Sequence, residues 1–204
     1  MELHHDSENY ITGQDVQNGF VAFSRDSSTS ETQTETYTTS LGDGGSVTVA
    51  LNGATSSLSW RDRTDSTAPQ LPDVAEDFVF HPDYLELTLS GLDTNQYLLT
   101  TYHHDTQHSG SDLEIAVWDA AGEGRVVEPA LWQTANDPAN DPALTSFSIY
   151  ADEAPVTIRF TNLGTEGNPP IARLNGFSLT LVPEPSTVLL GLAVLLGLLV
   201  RRPR

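Results

Sequence analysis

Near the middle of the chain His103-His104-Asp105, with His108 three positions further on, forms the densest grouping of potential ligands. Imidazole and carboxylate together suit zinc or another first-row metal. The spacing restricts that chemistry. In an extended strand successive side chains point to opposite faces. His103 and His104 therefore cannot share an ion, and one of them would need Asp105 or His108 brought round by a turn. His104, Asp105 and His108 are the candidate metal ligands; His104 and Asp105 are also candidate sugar contacts. The alternative is a polar strand end in which the histidines decorate a loop and Tyr102 enters the core.

Aromatic side chains offer a second chemistry. A sugar packs its apolar face on an exposed ring while nearby polar groups bind its hydroxyls. Trp60, Trp118, Trp132 and Tyr102 are the candidates. Trp118 breaks step with Leu113, Ile115 and Val117, so it should face away from them. Trp132, just before a polar loop, is the ring best placed for exposure, although tryptophan in a small sandwich more often fills the core. Arg61, Asp62 and Arg63 follow Trp60 directly; the arginines could bind hydroxyls or carboxylates through their guanidinium forks, or form internal salt bridges, since only six arginines up to residue 184 stand among 28 acids.

Calcium takes six to eight oxygens from carboxylates, amides and carbonyls. Leu41-Gly42-Asp43-Gly44-Gly45 and the tandem Asn136-Asp137-Pro138-Ala139 and Asn140-Asp141-Pro142-Ala143 could supply some. Neither is an EF-hand or a nonapeptide calcium repeat, so no cofactor is assigned, and a structural calcium is an alternative without a position. For catalysis the sequence offers little. It contains no Gly-x-Ser-x-Gly elbow, no His-Glu-x-x-His, no phosphate loop and no cysteine. A glycosidase needs two carboxylates at a set separation, and none of the 28 acids stands out. Catalytic residues are therefore none, and a polysaccharide-active enzyme is the alternative reading.

The elements that must position these groups read as strands. Short alternating runs bounded by Gly, Asn, Asp and Pro recur, and helical periodicity is nearly absent. Leu85, Leu87 and Leu89 share one face, as do Leu113, Ile115 and Val117, and Val156, Ile158 and Phe160. Further strands are expected at Gly19–Ser24, Ser46–Leu51, Ser56–Trp60, Asp77–Phe80, Tyr97–His103, Thr145–Tyr150 and Ala172–Val182. Asn52-Gly53 is expected to turn a hairpin. Residues 26–40 hold ten Ser or Thr and should be part edge strand, part loop. The two Asp-Pro steps at 137–138 and 141–142 cannot lie in a central strand. These features predict an all-β, antiparallel two-layer sandwich, a jelly roll, over residues 19–182.

Charge and composition narrow the partners. Six arginines stand against 28 acids up to residue 184, and the chain has no lysine. A surface this acidic repels nucleic acid and anionic lipid. With no cysteine, disulfides and thiolate metal sites are excluded.

The C-terminus is built differently. Pro183-Glu184-Pro185-Ser186 precedes an apolar run from Thr187 to Val200 and then Arg201-Arg202-Pro203-Arg204. Fourteen helical residues span about 21 Å, short of the roughly 30 Å of a bilayer core. The arginines supply a cytoplasmic flank, and the prolines stop the helix from running back. This order of features resembles the PEP-CTERM sorting signal of Gram-negative bacteria with exopolysaccharide-rich envelopes. That resemblance implies processing by the membrane enzyme exosortase. Pro183, Glu184 and Pro185 would be recognised, while Arg201, Arg202 and Arg204 fix orientation. The protein would then be exported, held transiently in the inner membrane by its C-terminal apolar helix, and delivered to the cell surface or extracellular matrix. A permanently anchored single-pass protein is the other reading of the tail. Residues 1–18 show neither a basic n-region nor an apolar h-region, so a signal peptide is expected to be missing from this sequence.

A second, looser resemblance covers roughly residues 19–182. Trp60-Arg61-Asp62-Arg63, Glu76-Asp77-Phe78-Val79-Phe80, Leu87-Thr88-Leu89-Ser90-Gly91-Leu92, Tyr102-His103-His104-Asp105 and Arg173-Leu174-Asn175-Gly176-Phe177-Ser178-Leu179 follow one another as in galactose-binding-like jelly rolls of exported bacterial proteins. It implies the same fold and a polysaccharide ligand, in a non-catalytic protein that binds or organises exopolysaccharide.

Overall fold

The computed structural model describes residues 2–4, 22–24, 32–38, 46–54, 58–61, 63, 66–108, 110–135, 137–164 and 170–182. The sorting-type tail from residue 183 onward, the turn at 41–45 and Asp62 lie outside the described residues. In chain order the elements are β1 (Glu2–His4), β2 (Ala22–Ser24), β3 (Thr32–Thr38), β4 (Ser46–Gly53), β5 (Ser59–Arg61), α1 (Pro72–Glu76), β6 (Phe78–His81), β7 (Tyr84–Ser90) and β8 (Gln96–Asp105). They continue with β9 (Asp112–Asp119), β10 (Gly122–Trp132), β11 (Thr134–Ala135), β12 (Ala143–Tyr150), β13 (Val156–Asn162), β14 (Ala172–Leu174) and β15 (Gly176–Leu181).

One sheet runs β10-β9-β13-β7-β4-β3, antiparallel throughout. Its period-2 leucines and valines fall into lateral rows. Leu51 pairs with Leu87, Leu87 with Ile158, and Ile158 with Val117. All four side chains are fully buried. Removing one, as in Leu87→Ala, would cost about 2–5 kcal/mol. The facing sheet centres on β8, flanked by β12 and β15, with β1 and β2 beyond β15. Its inner positions Tyr97, Leu99, Phe147, Ile149 and Phe177 close the core. The chain changes sheet from β7 to β8 to β9 and again from β12 to β13 to β15, which makes the sandwich a jelly roll. A three-stranded sheet, β14-β6-β5, completes the fold, and Trp60, Val79 and Leu174 from its strands join the common core.

Several local expectations are corrected. Asn52-Gly53 does not turn: β4 continues through it, pairing Asn52 with Glu86 and Gly53 with Leu85. The partners of β4 are β3 and β7, so the strand register overrides the local turn preference. Thr32–Thr38 is the edge strand of its sheet. β10 was not expected, and its ladder with β9 shifts register three times, which blurs any period-2 pattern. The stretch 172–182 is two strands rather than one, broken at Asn175 as the chain passes from one sheet to another.

Candidate functional site

The end of β8 outruns its neighbours. Its ladder with β15 stops at Gly176 opposite Tyr102, and its ladder with β12 stops at Ala143 opposite His103. Asn175 extends the first edge: its N–H donates to Tyr102 O at 2.9 Å and its Oδ1 accepts from His104 N–H at 2.6 Å. β11 extends the other edge as a parallel pair, Thr134 opposite His104. Residues 103–105 are thus held as strand on both sides while their side chains alternate.

His103 enters the sandwich, with its ring centroid 5.4 Å from that of Phe160. Its Nδ1 lies 2.5 Å from Arg173 O and its Nε2 lies 2.9 Å from Thr101 Oγ1. The carbonyl can only accept, so Nδ1 carries the proton and Nε2 accepts from the threonine hydroxyl. Burial pushes the His103 imidazole down to about 4, against a smaller opposing effect of the bond to the Arg173 backbone. His104 points the other way and is equally buried, its Nδ1 2.9 Å from Thr134 Oγ1. Burial lowers its proton affinity too. Tyr102, a candidate sugar ring that the alternative reading places in the core, is only partly buried, whereas both histidines are enclosed.

Asp105, also buried, collects charge from distant segments. Its Oδ1 accepts from Arg63 Nε at 3.2 Å and from Gln107 N–H at 3.0 Å. Its Oδ2 lies 3.3 Å from His108 Nδ1 and 3.7 Å from Arg173 Nε. Arg63 also donates to Gln107 Oε1 at 3.0 Å and meets His108 Nδ1 at 2.9 Å. Arg173 is fully buried; burial lowers its guanidinium to about 10, with Asp105 opposing and Arg63 reinforcing that shift. It remains a cation at neutral pH.

Gln133 ties this cluster to the sandwich edge. Its Nε2 reaches Ser111 Oγ at 2.8 Å and Ile171 O at 2.9 Å, and its Oε1 accepts from Arg173 N–H at 2.9 Å. Gly110 permits this close approach, since a Cβ there would stand 2.0 Å from Gln133 O and 3.3 Å from a ring carbon of Trp132. Trp132 therefore lies over Gly110, two residues beyond His108, and is 46% exposed. Asp105 thus gathers Arg63, Gln107 and His108 at the end of β8, and the chain leads from His108 within two residues to Gly110, against which the exposed Trp132 ring lies.

Of the expected site residues, Asp105 and His108 come together here, Trp132 stands against Gly110 just beyond them, and His104 is on the far face of the same strand end. Two assignments are corrected. Trp60 is no sugar platform: it is 4% exposed and belongs to the core. Arg61 is exposed but turned away, with Nη1 on its neighbour's carbonyl, Trp60 O, at 3.2 Å and its guanidinium 5.1 Å from the Phe80 ring centroid. The metal grouping is also corrected. Among the described residues no three His, Asp or Glu side chains could hold a metal ion together. Asp105 faces two guanidiniums where a metal would need to stand, and His104 faces Thr134 instead.

The Asn-Asp-Pro-Ala repeat is tied down more than a surface loop would suggest. Asp141 Oδ1 accepts from Gln70 and Leu71 N–H at 3.0 and 3.1 Å, and Pro138 O accepts from Thr67 N–H at 2.6 Å. Asp137 Oδ1 takes Ala139 N–H at 2.9 Å. Elsewhere a shallow cleft of about 220 Å³ lies beside Trp118, Glu123, Asp152 and Pro155. Arg159 stacks over the Trp118 ring at 4.8 Å and pairs with Glu86 at 2.6 Å. Residues missed from sequence are Arg173, Gln133, Asn175 and Gly110; of the two arginines that follow Trp60, Arg63 forms an internal ion pair with Asp105, while Arg61 bonds its neighbour's carbonyl.

No protein-family model matches the chain, and no curated protein matches it. Among solved structures it is similar to a family 35 carbohydrate-binding module from Clostridium thermocellum, at 14% identity and a TM-score of 0.36, over 58% of this chain and 89% of that one. A structure described as CBM4 is matched at 10% identity and a TM-score of 0.29, over 69% of this chain and 72% of that one. The enzymatically active domain of bacteriophage CBA120 tailspike protein 4 is matched at 10% identity and 0.26, with only 18% of its length covered. None of these overlaps is close enough to carry a ligand or an activity across to this chain.

Proposed function

We propose that the chain is an exported, non-catalytic polysaccharide-binding sandwich, sorted through its C-terminal tail. The observation that carries the binding role is Trp132, an exposed ring lying against Gly110, two residues along the chain from a pre-organised polar cluster. A sugar ring stacks on the indole while the nearby Gln107, His108 and Arg63 offer donors and acceptors to its hydroxyls. These groups are held before the ligand arrives, so less side-chain freedom is lost on binding. The carboxylates of Asp105, Asp119 and Glu86 are each engaged by an arginine, an arrangement suited to holding shape rather than to acid–base turnover. A structural calcium remains part of this proposal, without assigned ligands.

Affinity electrophoresis in gels cast with neutral and acidic polysaccharides tests the binding role. Retardation by one polymer class, lost in Trp132→Ala with the fold retained, supports it. Equal retardation of both proteins contradicts the assignment of the site, and no retardation in any gel contradicts the binding role. Running the gels with calcium and with chelator separates a calcium-dependent mode. Sorting is a separate proposal and rests on the tail sequence. Exosortase would recognise Pro183, Glu184 and Pro185, and the mature protein would reside at the cell surface or in the extracellular matrix. Mass spectrometry of the mature C-terminus decides it: an intact Arg204 would contradict processing and favour a permanent anchor.

A further inference from the structure

The outer faces of the two main sheets differ in charge. On the β7–β9–β13 side Glu86, Glu114 and Arg159 stand on the outward positions. On β8, β12 and β15 the outward positions alternate with the buried Leu99, Phe147, Ile149 and Phe177. No Asp, Glu, Arg, Lys or His occurs from Gln96 to Tyr102, from Leu144 to Tyr150, or from Ser178 to Thr180. The chain as a whole carries a formal charge of −19. At the margins of this face stand Arg125, whose guanidinium lies 5.9 Å from the Tyr150 ring centroid, with the Asp119 that neutralises it at 2.8 Å, and on the other flank β1, which pairs Glu2 with Gly176.

The same face is ready to lose water. Three of its hydroxyls are satisfied sideways: Thr100 Oγ1 and Ser146 Oγ meet at 2.7 Å, and Ser148 Oγ accepts from Gln96 Nε2 at 2.8 Å. Buried polar groups cost little only when they keep such partners. Between them stand Leu98, Leu144 and Tyr150, and Leu144 is 56% exposed.

The geometry points to a second copy of this chain as the occupant of this sheet face, in a weak, salt-promoted dimer packed sheet against sheet. Two copies this acidic repel each other in almost every orientation. Apposing the charge-free faces keeps the acids at the periphery, where salt can screen them. Screening then favours association, because the Debye length falls from about 30 Å at 0.01 M to about 3 Å at 1 M salt. The three strands present an area of roughly 14 by 24 Å from ordinary strand spacing and rise. That is under half of the ~800 Å² per partner of a standard stable interface. The dimer is accordingly transient, and matters where copies are crowded on a surface.

The test is sedimentation equilibrium of the full 204-residue chain at low and high salt, beside the variant Ser146→Asp with Thr180→Glu and the milder Leu144→Ser. Circular dichroism checks the fold of each. The wild type should dimerise with a dissociation constant at least about tenfold lower at 1 M than at 0.05 M salt. The charged variant should stay monomeric, and Leu144→Ser should weaken the dimer. Association equal in all three proteins would place it in the apolar tail or at a strand edge and overturn the inference. A wild type monomeric at both salts would also overturn it. In that case, loss of retardation of the charged variant by a neutral polysaccharide would assign the face to a glycan. The result is independent of Trp132, whose replacement should leave the dimer unchanged.

Discussion

Replacing His103 should change how stability depends on pH more than it changes stability at neutral pH. In the native state burial holds this imidazole at about 4, whereas its ordinary value is 6.5. Above pH 6.5 the ring is neutral in both folded and unfolded chains and contributes no pH dependence. As pH falls below 6.5 the unfolded ensemble takes up the proton first, so the native state loses relative stability. The loss is complete once pH drops below 4, where the native ring is protonated as well. A separation from 6.5 to about 4 amounts to about 3 kcal/mol. Urea unfolding followed at a series of pH values from neutral to about 4 measures it, in wild type and in His103→Gln at constant ionic strength. The wild type should lose about 3 kcal/mol more than the variant across that range. His81 and His104, whose affinities burial also lowers, titrate in both proteins and cancel in the difference. Parallel curves, or a His103 midpoint near 6.5 by NMR, would refute the argument.

Three further outcomes follow from the same geometry. Gly110→Ala puts a Cβ 2.0 Å from Gln133 O; moving that backbone should cost about 2–4 kcal/mol, read as a lowered Tm, and should disturb Trp132 fluorescence. Asp105→Ala leaves the fully buried Arg173 facing a lost carboxylate and should destabilise by about 3–5 kcal/mol; an unchanged urea midpoint would mean that Arg173 is satisfied without it. Trp60→Ala should cost about 3–5 kcal/mol in unfolding experiments yet leave polysaccharide retardation at permissive temperature intact, because the ring is a core member.

Strands whose neighbours keep a regular ladder were legible in sequence. Leu85, Leu87 and Leu89 declare their face because β7 pairs without interruption on both sides. β10 was hidden because its three register shifts against β9 scatter its apolar residues. The Asn52-Gly53 step has strong local turn chemistry, but pairing to Glu86 and Leu85 holds it extended. At the site, the opposed faces of His103 and His104 followed from period 2 alone. Their enclosure did not, because Asn175 and Thr134 close the two edges from distant segments. The Arg63 to Asp105 contact spans 42 residues, and no local pattern distinguishes Arg63 from Arg61. Trp60 sits in a strand of three residues, too short for alternation to say which side is core.

Acrylamide quenching of tryptophan fluorescence, with and without the polysaccharide that retards the protein, tests the binding account most directly. Trp60 is buried and Trp118 half-buried, whereas Trp132, at 46%, is the most exposed of the three tryptophans. Bound polymer should shield its signal in the wild type, and the shielding should vanish in Trp132→Phe. Retardation by the polymer with quenching unchanged would place the sugar elsewhere on the sandwich and contradict the account.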